Sequence, residues 1–294
     1  MNRREMILKC LAIPMLSGCA GDVSRFRDKP VALLANDLRV CASSYVVLRN
    51  AKPGETVFLS GCNEPNVKAK DVYQAASLTK PLVAFAALQL VLDRQLDLNA
   101  TVAHYLPKGY NHFHSILARE SGDPSDLVPV SLLNRIPVSS LLNHTSGFPN
   151  WTSGPLSLEF ETGQRWGYSG EGFLLLQSVI EAVTGMEFSR YFDSHVFAAL
   201  GMRDSSLVWR ADLGPRAVSG SSLFGRQRLI QFRQPVAAAS LSTTASDYAL
   251  FMSKLLSDSK IVSLVLSRPT SVDAALGIQW GLGWGIERAR GGPY

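Results

Sequence analysis

The sequence predicts an α+β domain with a helical segment inserted into it, rather than a repeating strand–helix alternation. Three observations carry this expectation. Two strand-like runs, 41–48 and 56–62, come first, and a strongly apolar helix follows at about 77–92. A long helical and loop-rich stretch, 102–204, then intervenes before strand character returns at 278–286. The chain has 294 residues, 46% of them hydrophobic and 18% charged, which is ordinary globular composition with ample core for one large domain or two intimately packed ones. The expected boundaries are an export signal over 1–18, a tether over 19–38 and a folded domain over 39–294.

The leader is read from its charge and size. Arg3, Arg4 and Lys9 form a basic region, an apolar run from Cys10 to Leu16 follows, and small residues surround Cys19 in Leu16-Ser17-Gly18-Cys19-Ala20. This reads as a signal peptide, too short to span a bilayer. The run Leu-Ser-Gly-Cys resembles the bacterial lipoprotein cleavage box, which implies a diacylglyceryl group on Cys19 and an exported protein held at a membrane surface in the cell envelope. The alternative is an ordinary secretory signal with a chance cysteine. The formal charge of +5 falls once the basic leader is set aside, leaving too small and scattered an excess to argue for nucleic acid.

Cys41 and Cys62 remain in a chain expected to reach an oxidising compartment. They flank the two strand-like runs, joined by a turn rich in Asn50, Pro53 and Gly54. A hairpin folded about Ala51 and Lys52 would bring the sulfurs nearly opposite, whereas a one-residue slip would point them to opposite faces. The apolar helix must begin within about a turn of Ser77, because Pro81 is tolerated only near a helix start. Its stripe of Leu82, Phe85, Leu88 and Val91 reads as core packing. Within the middle stretch, 121–129 reads as loop and 144–149 as a turn. Phe173, Leu176, Ile180 and Val183 recur at helical spacing, and Gly185 supplies the stop. A further helix is expected over 246–256 with Thr244 or Ser246 as cap. The alternation of Gly with Trp and aliphatic residues over 278–286 reads as one strand with close backbone approach.

The chemistry is read from Ser77 and Lys80. A serine hydroxyl needs a base to take its proton, and positions three apart on a helix share a face. A lysine serves as that base only where burial or neighbouring positive charge disfavours its ammonium form. Ala75, Ala76, Leu78, Leu82 and Val83 are expected to supply part of that apolar surrounding. Spacing alone proves little, since Ser257 and Lys260 repeat it in a polar stretch where nothing would desolvate the amine.

The neighbouring motifs separate the two. Ala76-Ser77-Leu78-Thr79-Lys80 resembles the active-serine motif of class C β-lactamases and the related penicillin-binding proteins and esterases. Leu141-Leu142-Asn143-His144-Thr145-Ser146-Gly147 looks like a second signature of that family, and Gly163 to Ser169 with the helix beyond is similar to its Tyr-x-Asn region. Leu241 to Asp247 and Gly281-Leu282-Gly283-Trp284-Gly285 resemble two more, all in the family's order. The resemblance implies a β-lactamase/transpeptidase-like fold, an antiparallel sheet flanked by helices with a helical domain inserted. It also implies a Ser77 acyl-enzyme acting on a small-molecule ester or amide, with Lys80 and the Tyr168 phenol moving protons and no metal or organic cofactor. Tyr168 could act as a base only if neighbouring cations stabilised its phenolate.

Two departures follow from the same likeness. Gly170 stands where many relatives carry an asparagine that binds a substrate amide, which favours ester-type donors. The family's Lys-Thr-Gly strand is matched only by a degenerate Arg290-Gly291-Gly292, so the chain is expected to be truncated, with the last sheet strands and the C-terminal helix missing. A lipid-anchored pseudoenzyme or ligand-binding protein is the alternative function. His144 reads as a turn-stabilising residue. His112 and His114 alternate like metal ligands, but with no third ligand evident they read as surface residues. The absence of a Gly-x-Ser-x-Gly elbow argues against an α/β-hydrolase.

Overall fold

The computed structural model describes residues 42–60, 67–222, 225–226 and 228–287. The signal and tether, Cys19, Cys41, Cys62 and the segment 290–292 lie outside the described residues. The chain clusters into a small unit, Met1–Ser43 with Phe58–Val67, and a large one, Ser44–Val57 with Lys68–Tyr294. Everything that follows on packing concerns the large unit.

Strands β1 (Ala42–Arg49) and β2 (Lys52–Ser60) pair as the expected hairpin. Its tight turn is Asn50-Ala51, with φ of 50° and 58° at the two residues. That is one position earlier than expected, and the mirror-image turn matches the strand twist. Tyr73 opens the short β3 (Tyr73–Gln74), and its hydroxyl lies 3.0 Å from Ser44 Oγ, which ties the hairpin to the segment leading into Ser77.

A single 3₁₀ turn, Ala76–Leu78, runs into helix α1 (Thr79–Leu92). The expected stripe proves too narrow. Residues Leu82 to Leu88 are all buried together with Leu90, so α1 is the central helix of the core rather than a one-faced surface helix. The middle stretch contains two strands that sequence reasoning missed, β4 (Tyr110–Phe113) and β5 (Ser125–Val128). They form an antiparallel ribbon, so part of the segment read as loop is strand. Helix α2 (Val138–Leu142) leads to the 144–149 turn, and α3 (Gly170–Thr184) follows. Ser169 caps α3 by accepting from Gly172 N at 2.8 Å, an interaction worth about 1 kcal/mol. Gly185 ends the helix at φ 64°. A helical run over 188–200 completes the insertion, and its Phe188 and Phe192 pack ring to ring at 4.6 Å.

The chain then returns to the first part of the domain. Strand β6 (Ser242–Thr243) pairs antiparallel with β3, setting Tyr73 opposite Thr243. Helix α4 (Ala245–Ser257) takes Thr244 as its cap, the hydroxyl accepting from Asp247 N at 3.1 Å. Helix α5 (Ser259–Leu266) and strands β7 (Thr270–Asp273), β8 (Ile278–Trp280) and β9 (Gly285–Glu287) complete the described chain. The single strand expected over 278–286 is therefore a hairpin, with Trp280 opposite Gly285. The expected close approach is present at its turn. A Cβ on Gly283, whose φ is 87°, would overlap the Ala84 methyl of α1, so the loop sits directly on the central helix. No helix of the described residues is long and apolar enough to cross a membrane.

Candidate active site

The turn carrying Ser77 is fixed from several sides. Ala76 adopts a positive φ of 44°, a left-handed conformation that costs a non-glycine residue about 1–3 kcal/mol. Thr79 holds this turn closed. Its buried hydroxyl donates to Ala76 O at 2.6 Å and accepts from Leu241 N at 3.0 Å, so one side chain joins the turn to the strand entering β6. Tyr248 of α4 donates from its hydroxyl to Leu78 O at 3.1 Å. The Leu241–Asp247 motif thus clamps the serine turn, and Asp247 itself accepts from Asp204 N and Ser205 Oγ.

One residue pair dominates the site. Lys80 is only 2% exposed, and its Nζ lies 3.3 Å from Ser77 Oγ and 2.8 Å from Ala238 O. Burial lowers the lysine pKa from 10.5 to about 8. At pH 7 about a tenth of the amine is then uncharged. The shielding differs from expectation. Ala76 and Leu78 face solvent, while the rings of Tyr168, Trp151 and Phe173 stand 4.8, 5.8 and 5.8 Å from Nζ. The sequence hinted at none of this for Trp151, and the Ala238 carbonyl carries no side-chain signal at all.

Gly170 explains how Trp151 comes so close. A Cβ at Gly170 would stand 2.6 Å from Asn150 O and 2.7 Å from the Trp151 ring. The backbone N–H of Gly170 donates to both Asn150 O and Oδ1. The space in which a larger residue would project is occupied by an indole.

Behind this wall lies His144, fully buried at φ 59°. Its Nδ1 accepts from Ser169 N at 3.1 Å, which places the ring proton on Nε2. Burial first, and the Lys80 charge second, push its pKa down to about 3. A permanently neutral imidazole of this kind holds position rather than shuttling protons. The Tyr168 ring packs against it, tilted by 40° at 4.5 Å, and Phe173, Trp280 and Trp166 complete the ring cluster at 5.4, 5.2 and 6.3 Å. The His144 motif therefore orients the Tyr168 ring against the amine.

Ser77, Lys80 and Tyr168 all line one cavity of about 580 Å³, whose other walls include Leu78, Tyr248, Met252, Trp280 and Trp284. These walls are largely apolar, and they suit an acyl or aryl group better than a charged one. Among the sequence-singled residues, the structure brings these three together and leaves the second Ser-x-x-Lys pair elsewhere. His112 is corrected: it is fully buried, not a surface residue, and it contacts Asp126 and Glu171.

A family model described as Beta-lactamase matches residues 44–293. Among curated relatives, esterase EstB of Burkholderia gladioli is 30% identical over 169 residues, covering 47% of this chain and 38% of that protein. Lovastatin esterase of Penicillium rubens is 26% identical over 262 residues, 76% of this chain and 63% of the relative. The chain thus spans less than two thirds of either. A solved class C β-lactamase superposes with a TM-score of 0.67 at 17% identity, covering 87% of this chain and 72% of that one, which shows a shared fold. The match covers the serine turn, the His144 segment, α3 and the β8–β9 hairpin alike, and the chain belongs to the β-lactamase family.

Proposed function

We propose that the protein is a serine hydrolase that acts through a Ser77 acyl-enzyme on small esters with an apolar acyl or aryl part. The observation that carries this reading is the Lys80 amine, buried and 3.3 Å from the Ser77 hydroxyl. Uncharged Lys80 takes the Oγ proton as Oγ bonds to the substrate carbonyl carbon, and the carbonyl oxygen becomes an oxyanion at the Ser77 backbone N–H. The carbon–oxygen bond to the leaving alcohol then breaks, and that alcohol leaves with the proton, relayed through Lys80 and the adjacent Tyr168. Water attacks the acyl carbon in the second half. Its proton passes back through the same pair to Ser77 Oγ as the acid departs.

The ester preference rests on Gly170 and Trp151. An indole fills the side of the site where an amide-binding side chain would project. Amide and β-lactam substrates rank second. Intact-mass analysis after exposure to an aryl fluorophosphonate tests the reading. A single adduct on wild type, absent from Ser77→Ala, is expected. Well-folded wild type that gains no mass would instead mark a ligand-binding protein.

The leader supports a second part of the proposal, that the protein is exported and anchored through lipid on Cys19. Metabolic labelling with a fatty-acid alkyne in a bacterial host should mark the wild type and not Cys19→Ser. Equal labelling of both would remove the anchor from the proposal.

A further inference from the structure

The β4–β5 ribbon plays no part in the chemistry above, yet it gathers a set of metal-ligating side chains. Alternate residues of a strand share a face, so His112 and His114 project together. The ribbon register sets Asp126 directly across from His112, and His114 N extends the ladder by donating to Pro124 O at 2.9 Å. His112 Nδ1 and His114 Nε2 therefore converge on the same oxygen, Asp126 Oδ1, at 2.9 and 3.0 Å. The three ligand atoms all lie within 4.8 Å of one another. Asp126 Oδ2 is held by Leu156 N at 3.3 Å, which fixes the carboxylate.

A second observation is independent of that convergence. The other nitrogen of His112, Nε2, lies 3.2 Å from Glu171 Oε2, with both side chains buried. Neither atom has a hydrogen-bond partner among the described residues. A neutral imidazole has one N–H, so it cannot donate to Asp126 and to Glu171 at once. A cation on Nδ1 removes the conflict: the lone pair of Nδ1 goes to the metal, and the Nε2 proton is turned toward Glu171. Metal-binding histidines regularly have a carboxylate behind them in this way.

We propose that His112 Nδ1, His114 Nε2 and Asp126 Oδ1 bind a borderline divalent cation of the zinc type. Two imidazoles and one carboxylate suit that class of ion, and a four-coordinate centre would keep one place for water. Access is available, because the side chains of His114 and Asp126 are 24% and 23% exposed and His114 borders an open cavity together with Trp151 and Thr152. The bound ion has a structural consequence. Asp126 holds Leu156, and Glu171 Oε1 accepts from Thr152 N at 3.1 Å, so both carboxylates of the cluster grip the segment that carries Trp151. The cation would stiffen the indole wall beside Lys80 without touching substrate.

Tag-free, chelator-treated protein titrated calorimetrically with zinc tests this. One ion per chain is expected, with a rise in melting temperature on binding. Partly exposed His114 can be changed with little risk to the fold, and His114→Ala should abolish both effects while melting as cooperatively as the metal-free wild type. Glu171→Gln, which keeps an acceptor for Thr152 N, should weaken binding about ten- to hundredfold. Ser77→Ala should bind zinc like the wild type, so this result stands apart from that of the acylation experiment. Folded wild type that takes up no stoichiometric zinc, or His114→Ala that binds as tightly as wild type, would overturn the proposal. The cluster would then be a protonated imidazole held between two carboxylates.

Discussion

Two Ser-x-x-Lys segments occur in this chain, and their fates differ. Ser77 and Lys80 sit where a 3₁₀ turn passes without a break into α1, and the amine ends in a ring-lined interior. Ser257 instead closes α4, and its hydroxyl turns back to Ser253 O at 2.7 Å. Asp258 then caps a new helix by accepting from Ile261 N, and Lys260 stands in solvent. Equal spacing thus yields adjacency only where one continuous helical path joins the two residues. Even adjacency would yield a base only where water is excluded.

The largest expected effect lies in the rate of Ser77 acylation. Lys80→Ala should slow fluorophosphonate labelling by about 10²–10⁴-fold, the usual contribution of general base catalysis, while Lys260→Ala leaves it unchanged. Equal rates in all three proteins, measured by intact mass against time, would erase the distinction between the two segments.

Next comes stability. Lys80 has a pKa of about 8 in the folded protein against an ordinary 10.5. The unfolded chain therefore binds more protons between those pH values, so stability rises with pH across that window, and below about pH 8 the whole penalty is present. Lys80→Met should accordingly stabilise the protein at pH 7 by about 1–3 kcal/mol, with an advantage that shrinks toward pH 10. Urea unfolding at pH 7 and pH 10 reads this, and a destabilised variant would mean that the amine's hydrogen bonds outweigh its desolvation.

The smallest effect tests what keeps the amine dry. Acylation should rise about tenfold per pH unit below about pH 8 and level off above it, as Lys80 loses its proton. Trp151→Ala admits water beside Nζ and should move that midpoint upward by about one unit. A midpoint unmoved in the pH–rate profile would assign the shielding to Tyr168 and Phe173 alone.

Much of this was legible in the sequence, for reasons local to it. Pro81 fixed where α1 begins, the Phe173–Val183 spacing and Gly185 gave α3, and the Thr244 cap gave α4. What was missed depended on residues far apart in the chain. The loop reading of 121–129 failed because the Gly, Pro, Ser and Asp residues of that stretch mask Leu127 and Val128, and Ser125–Val128 becomes strand only by pairing with Tyr110–Phe113. The single strand expected over 278–286 failed because the Gly-rich turn at 281–284 folds onto α1, a contact no local pattern records.

The amino-acid order by itself determined which residues could react: a hydroxyl and an amine one helical turn apart, in a chain whose motifs follow the β-lactamase order. Local composition already set Lys260 in a polar stretch, but tertiary structure alone decided that the rings of Tyr168, Trp151 and Phe173 keep Lys80 dry. It also decided that Gly170 yields its space to Trp151, and that Asp126 meets two histidines from across a ribbon. Helical and strand periodicity are encoded in neighbouring residues, whereas desolvation and cross-strand register are set by groups brought together only when the whole domain closes.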